Sequence, residues 1–458
     1  MNHFLSSKTN CGLNFPSCIP WPNSIGRAWS GSLSNLGWWS RAGLNQIGQQ
    51  PLFPPPSVIQ PYPHEPDPIA SFRLESSRLL GFGYFSPSSS LLTTMSPPLD
   101  VLDPPHELSG PAEVLSPPEM LNEFTQVNIC APMVRYSKLP FRKLVSEYET
   151  HITFTPMILA QEFSLSQKAR DSDFSTSETE RGVFWMQEAR PSSENIEIRP
   201  RRRVKGALIA QFGGNNPFYM SHAAGLIRDY VDGIDINCGC PQSWAYKEGI
   251  GSALLRKPDL VHELVRSVKN RCGEDFPVSI KIRLDQDLRN TSQLIKTALA
   301  ANVSMITVHG RTRQQASSHP VFLDGIKFAR QEAQTSANGA VPVIANGDVF
   351  ALADAQRTRE FCGVSGVMSA RGLQENPALF AGYDRIPLQG VERFLTISAE
   401  TGFLFPLYHR HLADMLNPWF SNREEKKFFN MLSSPASVLD FLEETFDIQP
   451  TPLSSPLS

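Results

Sequence analysis

The sequence predicts an α/β protein built around a (β/α)8 TIM barrel, followed by a small all-helical domain and preceded by a disordered N-terminal extension. Three observations predict the barrel. Eight short apolar runs recur after residue 127, helix-like segments separate them, and polar residues stand at the C-terminal end of nearly every run. A doubly wound open sheet is the competing architecture. The barrel is favoured because all eight strand ends then converge on one mouth, where the active site of such a barrel lies.

Each predicted strand is a continuous run of β-branched and other apolar residues, as expected for a strand buried on both faces. The runs span 127–134, 152–160, 207–214, 233–241, 278–284, 305–312, 341–349 and 363–372.

The segments between these runs place apolar residues at helical spacing, so that Leu260, Leu264 and Val268 share one face. Ser137 and Thr291 are the predicted N-caps of two of these helices. The predicted helices span 137–148, 258–272, 291–302 and 351–361.

The two ends of the chain differ from the barrel region, which is assigned to residues 121–387. Residues 388–447 have helical periodicity and no strand signals, so they are predicted to form a small helical domain, with 448–458 as a tail. Residues 1–120 hold 19 of the 38 prolines and are predicted to be disordered. No acidic residue precedes Glu65, a composition shared with organelle transit peptides, although Pro16 and Pro20 interrupt any amphipathic helix there.

The bulk composition restricts the class of protein. The formal net charge of −3 argues against a general polyanion-coating protein and leaves room for a local basic patch. Seven cysteines without a regular framework fit a reducing compartment. No apolar run is long enough to span a bilayer. We therefore expect a monomer in the cytoplasm or nucleus, or in mitochondria if the extension is a transit peptide.

The predicted strand ends carry amide, amine, imidazole and guanidinium groups. They show neither a carboxylate pair nor a Ser–His–Asp order with a nucleophile elbow, so the set does not suggest a hydrolase, and it does not suggest a metal site. The residues at these ends are Pro132, Met133, Gln211, Asn237, Cys240, Lys281, His309, Arg311, Asn346, Gly347, Asp348, Ala370 and Arg371.

The last two strand ends indicate a phosphate site. In barrels, the loops after strands seven and eight often bind phosphate, and here they are 345–349 and 369–373. Gly347 allows close backbone approach, and Arg371 adds a forked donor. Lys281 suits a ring that gains negative charge on reduction, and Gln211 suits an amide-like ring edge. Together these residues predict flavin mononucleotide (FMN) across the mouth.

The chain resembles the tRNA-dihydrouridine synthases, most closely the eukaryotic branch that acts at positions 20a and 20b of the tRNA D-loop. The "GCPQ" and "HGRT" elements are the most specific parts of the resemblance. The matching segments are 131–134, 210–217, 235–255, 279–284, 307–315, 344–349 and 367–380.

The resemblance implies bound FMN, NADPH or NADH as electron donor, tRNA as substrate and a helical domain that helps to hold the tRNA. It also makes Cys240 the catalytic residue. The residues it assigns to FMN are Pro132, Met133, Val134, Gln211, Lys281 and His309, with Asn346, Gly347, Asp348, Ala370 and Arg371 at its phosphate.

Cys238 and Cys240 raise the choice between a metal site, a redox pair and one working thiol. A C-x-C pair supplies at most two metal ligands, and a disulfide between residues two apart is geometrically awkward. Reduction of the uracil C5–C6 bond needs a hydride and a proton, and a thiol with an ordinary pKa of about 8.5 is mostly protonated near pH 7. Placement and the resemblance together select Cys240 as the proton donor, in a mobile loop with Gly249 and Gly251 as hinges.

The remaining predictions concern RNA. The target uridine must leave its stack to reach the flavin, and Asn237 is predicted to contact the uracil or the flavin. Arg311 and Arg313 are candidates to meet RNA phosphate. The basic stretch 199–205 precedes the third strand, at the bottom of the barrel, so a solvated insertion is favoured over an RNA patch. Two alternatives remain open at this point: an FMN-dependent ene-reductase acting on a small molecule, and an RNA-binding barrel without chemistry.

Overall fold

The computed structural model describes residues 110–189, 201–335 and 341–449. Most of the predicted extension, 1–109, and most of the predicted tail, 450–458, lie outside the described residues. Within the described part, eight parallel strands form a closed barrel with helices between them, which confirms the predicted fold class.

The strands of the described chain include all eight predicted runs and four further short strands. In chain order they are β1 (Glu113–Val114), β2 (Val127–Cys130), β3 (Ile152–Phe154), β4 (Ile158–Leu159), β5 (Val183–Gln187), β6 (Arg201–Lys205), β7 (Ala207–Gly213), β8 (Gly233–Cys238), β9 (Val278–Leu284), β10 (Met305–Thr312), β11 (Val343–Asn346) and β12 (Gly366–Ser369). The barrel consists of β2, β3 and β7 to β12, and the pairing of β3 with β7 closes it. The short β4 extends the second run and pairs with the end of β7.

The strand register places predicted site residues side by side on neighbouring strands of the barrel. Asn237 on β8 lies opposite Lys281 on β9, and His309 on β10 lies opposite Asn346 on β11. Because these strands are parallel, their C-terminal ends share one mouth.

Within the described chain, the helices follow the strands in the order expected for a barrel, and five of them follow the last strand. They are α1 (Pro117–Glu123), α2 (Leu139–Ser146), α3 (Ala160–Leu165), α4 (Gln167–Asp173), α5 (Pro217–Ile227), α6 (Ser243–Lys247), α7 (Pro258–Cys272), α8 (Leu288–Ala300), α9 (Leu323–Gln334), α10 (Leu352–Cys362), α11 (Arg371–Glu375), α12 (Leu388–Glu400), α13 (Phe405–Met415), α14 (Arg423–Met431) and α15 (Pro435–Phe446).

Helix α7 shows why these segments are helical. Pro258 occupies its first turn, Leu264 and Val268 are fully buried, and Gly273 ends it with a positive φ of 110°. Burying each such side chain contributes about 1.5–3 kcal/mol.

Both predicted N-caps are wrong. Helix α8 begins at Leu288 because the Asp287 carboxylate accepts the backbone N–H of Arg289, while the Thr291 hydroxyl accepts the N–H of Asp285 from inside the helix. The Ser137 hydroxyl bonds Met133 instead of capping α2.

The bottom of the barrel carries a small sheet in the order β1–β6–β5, with β5 and β6 antiparallel. Met120 on α1 is fully buried, and the described chain begins at residue 110, before the predicted boundary at residue 120. Residues 201–205 of the basic stretch form strand β6, which pairs with β1 and β5. Arg202 on this strand forms ion pairs with Glu113, Glu123 and Glu188. Those ion pairs leave Arg202 engaged within the protein.

The helices after the barrel form the predicted all-helical region, which packs on α2 and α11 near the end of β2. The Tyr136 hydroxyl donates to Asp414 (2.9 Å) and accepts from Arg410 (2.9 Å) across this junction. His411 is buried beside the Phe141 ring, with centroids 4.9 Å apart, and burial lowers its pKa to about 3. The junction therefore has packed aromatic rings at its centre and hydrogen bonds at its rim.

Among the described residues, no helix is both long enough and apolar enough to cross a membrane.

Candidate active site at the barrel mouth

A buried amide and carboxylate network forms the floor of the mouth. The Gln211 side chain donates to Asp235 (2.8 Å) and accepts from Asn237 (2.8 Å), and Ser279 donates to the other oxygen of Asp235 (2.6 Å). Burial raises the pKa of Asp235 to about 6, although the hydrogen bonds from Ser279 and Gln211 oppose the shift. Gln211 is thus fixed in orientation, with one N–H and one oxygen lone pair left for a ligand.

Lys281 and Asn346 meet above this floor. The Lys281 ammonium donates to the Asn346 side-chain oxygen at 2.9 Å, and the Asn346 amide donates to the Met368 carbonyl at 3.0 Å. Burial lowers the pKa of Lys281 to about 8, with Asp235 opposing the shift and Arg283 adding to it.

His309 stands among cations. Burial, followed by the charges of Lys281, Arg283, Arg311 and Arg371, lowers its pKa to about 2. The imidazole is therefore neutral near pH 7, and it supplies a hydrogen-bonding ring to the mouth without adding charge.

A carboxylate joins two of the predicted arginines. Asp348 accepts from the buried Arg311 and from Arg371 (2.8 Å), so its carboxylate holds the two guanidinium groups in place. Arg311 also donates to the carbonyls of His319 (2.7 Å) and Ser317 (3.0 Å). Only 1% of Arg311 is exposed. The Arg311 side chain is therefore engaged inside the protein, and its contact with RNA phosphate stays a prediction.

The loops after β11 and β12 enclose a small pocket with His309, Asn346, Gly347 and Arg371 among its lining residues. Gly347 has a φ of 129° and Asp348 a φ of 48°, a pair of left-handed residues that lets successive N–H groups turn to one side. A Cβ on Gly347 would lie 2.7 Å from Val321 Cγ2, so only glycine fits at this point.

The predicted cofactor residues 132–134 lie beside this pocket. The backbone N–H of Ala131 donates to the carbonyl of Ser369 at the end of β12 (2.9 Å), and the Gln374 amide donates to the sulfur of Met133 (3.2 Å). Met133 is buried and Val134 is exposed, so this turn contributes one wall of the mouth.

The two cysteines after β8 differ in their surroundings. Cys238 is fully buried, and burial raises the pKa of its thiol. Cys240 is half-buried, and its backbone N–H donates to the Asn237 side-chain oxygen (2.9 Å). Gly251, with a φ of 61°, closes the turn so tightly that a Cβ there would lie 2.8 Å from Cys240 Cβ. The floor network therefore sets the position of the more accessible thiol.

Arg313 lies opposite the turn that carries Cys240. Its guanidinium carbon is 3.7 Å from the centroid of the Tyr246 ring on α6. The contact links the loop after β10 to the segment that follows Cys240.

Sequence reasoning missed Asp235 and Arg283. Arg283 donates to the Gly239 carbonyl (3.1 Å) and to the Thr312 carbonyl (2.9 Å), bracing the cysteine turn. A carboxylate inside an apolar strand is the signal that could have identified Asp235. Among the described residues, no group of three or more His, Cys, Asp or Glu side chains is placed to hold a metal ion.

The dihydrouridine synthase family model matches residues 129–438, more than half of the chain. The chain belongs to the dihydrouridine synthase family. The matched range covers the barrel and most of α12 to α15.

The match covers most of the length of each of three named relatives. The chain is 46% identical over 323 residues to the tRNA-dihydrouridine(20a/20b) synthase, NAD(P)+, of Schizosaccharomyces pombe, covering 70% of this chain and 89% of that protein. It is 43% identical to the Mus musculus protein named as like that synthase, covering 72% and 91%. The similarly named Homo sapiens protein is 41% identical, covering 72% and 94%.

Proposed function

We propose that this protein is a tRNA-dihydrouridine synthase that reduces the C5–C6 double bond of D-loop uridines, at positions 20a and 20b, using FMN and NADPH or NADH. The observation that carries the proposal is the Cys240 turn, which hydrogen bonds fix to the amide and carboxylate floor of the mouth. Three family relatives carry names with this activity, these positions and NAD(P)+.

The donor set at the mouth fits FMN. Four cations surround the neutral His309, and the left-handed backbone at Gly347 and Asp348 makes room for an oxyanion. We assign the phosphate to the pocket of Asn346, Gly347, Ala370 and Arg371, with the Asp348 backbone. We assign the ring to Gln211 in the floor and to Lys281 above it. Met133, Pro132 and Val134 then form the wall beside the cofactor.

The protein's own contribution to the chemistry is a positioned proton donor. When bound, FMN would supply the hydride that C6 of the uracil receives, with NAD(P)H as the electron source. The thiol of Cys240 gives its proton to C5, and Asn237 holds the turn through the backbone N–H groups of Gly239 and Cys240. Half-burial gives the thiol access to a base that enters the mouth.

The substrate uridine must leave its stack to enter the mouth. Asn237 remains our candidate for uracil contact and Arg313 for RNA contact. The helices α12 to α15 meet the barrel at Tyr136, close to the end of β2, which supports a role in holding the tRNA beside the mouth.

The lowered pKa of Lys281 gives a prediction for cofactor binding. As pH rises through about 8, Lys281 loses its proton, and the mouth loses one positive charge. The affinity of the FMN-free protein for FMN should therefore fall between pH 7 and pH 9, by up to about tenfold. Quenching of FMN fluorescence measures this directly, and Asp235, with a pKa of about 6, is already ionised in that window.

Two variants test whether Lys281 is the group whose titration changes the affinity for FMN. Lys281→Met should bind FMN more weakly at pH 7 and show a flat profile up to pH 9. Lys296→Met, which removes an exposed lysine that pairs with Glu332 on the outer helices, should keep the wild-type profile. An unaltered alkaline decline in Lys281→Met would refute the assignment.

The Gly251 contact predicts a positioning effect on Cys240. In Gly251→Ala, the new methyl group overlaps Cys240 Cβ and the Cys240 carbonyl, so the thiol must move. A displacement near 1 Å costs about 10²-fold in turnover, and we expect such a fall in the single-turnover rate of tRNA reduction.

Gly402→Ala is the matched control, because Gly402 has the same φ of 61° and nothing within 4 Å of a Cβ. Both variants carry the left-handed backbone penalty of about 1–2 kcal/mol, but only Gly251→Ala should lose turnover. Equal turnover in the two variants would mean that the turn does not position the thiol.

The test of the proposed function in cells is a map of dihydrouridine in tRNA. Cells that lack the protein should lose dihydrouridine at positions 20a and 20b and regain it when the full chain is restored. Unchanged dihydrouridine levels at every D-loop position would refute the synthase proposal.

A further inference from the structure

A second cleft opens beside the Cys240 turn, separate from the pocket assigned to the FMN phosphate. It lies between the chain that follows Cys240 and the loops after β9 and β10, and it shares no lining residue with the first pocket. Its polar lining includes Tyr246, Ser252, Arg256, Asp285, Arg313 and Gln314.

The charge of this cleft comes from Arg313. Arg256 is already neutralised, since its guanidinium donates to both oxygens of Asp285, at 2.8 and 3.1 Å. Arg313 has no carboxylate partner among the described residues, and it is held against the Tyr246 ring at 3.7 Å. The cleft therefore presents one uncompensated guanidinium whose plane is fixed by stacking.

Two buried polar atoms that line the cleft have unused hydrogen-bonding capacity. Within the described chain, neither Arg313 Nε nor Ser252 Oγ has a hydrogen-bond partner. Ser252 is 4% exposed, and its backbone N–H donates to the Cys240 carbonyl at 3.0 Å. Such atoms are costly to leave unpaired, and a polar ligand can satisfy them.

We propose that this cleft is a second phosphate site, which takes a phosphate attached to a ribose. The planar fork of Arg313 matches phosphate oxygens, while Gln314 and Ser252 offer the neutral donors and acceptors that ribose hydroxyls use. Because the Ser252 backbone N–H donates to the Cys240 carbonyl, a ligand held here lies beside the turn that carries Cys240. This inference rests on the proposed function, in which two reactants carry such a group: the RNA backbone beside the target uridine, and the 2′-phosphate of NADPH.

The test compares Arg313→Gln with wild type, both as the full chain loaded with FMN. The first arm measures binding of an unmodified tRNA transcript between 50 and 200 mM salt. If the phosphate belongs to RNA, affinity should fall about tenfold, and the slope of log affinity against log salt should shrink by about 0.7–0.9. The second arm measures flavin reduction by NADPH and by NADH. If the phosphate belongs to NADPH, the preference for NADPH over NADH should fall about tenfold.

Arg266→Gln is the matched control, because it removes an arginine that pairs with Glu274 (2.5 Å) on the outer helix α7. Arg313→Lys keeps the charge and removes the planar fork, so it should restore the salt slope but not the full affinity. It also covers the case in which Arg313→Gln fails to fold.

A change in either arm supports the site and names its ligand. The proposal is overturned if Arg313→Gln matches Arg266→Gln in tRNA affinity, salt slope and NADPH preference. The wild-type protein is scored separately for dihydrouridine formation, so failure of the proposed function is distinguishable from failure of this site.

Discussion

Replacement of Cys240 by alanine should reduce tRNA turnover by about 10²–10⁴-fold, the range lost when a positioned general acid is removed. The thiol is the proton donor in our account, and it is the more accessible of the two cysteines after β8. FMN should stay bound in Cys240→Ala, because neither the Gln211–Asp235 nor the Lys281–Asn346 hydrogen bond involves the thiol. Single-turnover reduction of a tRNA transcript, after the flavin has been reduced, measures the effect.

Cys238→Ala is the matched control. Cys238 is fully buried, and burial raises the pKa of its thiol, so it neither reaches substrate nor donates a proton. The variant should lose some stability, about 1 kcal/mol for the small volume removed, and should keep its turnover. A Cys240→Ala protein with wild-type turnover would remove the thiol from the reaction.

Replacement of Gly347 by alanine should release FMN, weakening its binding by about 100-fold or more. The new Cβ would lie 2.7 Å from Val321 and 3.2 Å from the His309 ring, and the φ of 129° is unfavourable for any residue with a side chain. The loop can relieve both problems only by moving, and this loop forms the pocket assigned to the phosphate. The flavin content of the purified protein and the dissociation constant of added FMN report the loss.

Gly273→Ala separates backbone strain from the loss of the pocket. Gly273 has a φ of 110° and open space around a Cβ, and it lies at the C-terminal end of α7, away from the mouth. This variant should lose about 1–2 kcal/mol of stability and keep its FMN. If Gly347→Ala retains FMN as well as Gly273→Ala does, the phosphate lies elsewhere.

The barrel was predictable because each strand is a local signal. A run such as 278–284 alternates β-branched or other apolar residues with polar ones, and its neighbours in the sheet are its neighbours along the chain, so order and pairing follow together. The small sheet at the bottom was not predictable in the same way. It pairs Glu113 with Val204, which are far apart in sequence. Strand β1 has only two residues, too few for a local pattern to predict a strand.

The candidate site was predictable as a set of strand ends and less so as a network. Sequence places Gln211, Lys281 and His309 at one mouth, but it does not reveal which polar groups satisfy one another. Arg311 illustrates the limit, because its position near the mouth suggested RNA contact, whereas the loop carbonyl of His319 and the carboxylate of Asp348 engage it. Asp235 was missed because it lies within a strand and its role depends on neighbours in β7 and β9.

The most direct test of the account uses purified full-length protein loaded with FMN, NADPH and unmodified tRNA transcripts that carry uridine at positions 20a and 20b. The account predicts dihydrouridine at those positions, lost from a transcript in which they are cytidine and strongly reduced with Cys240→Ala. An FMN-loaded protein that oxidises NADPH but forms no dihydrouridine at any D-loop uridine would contradict it.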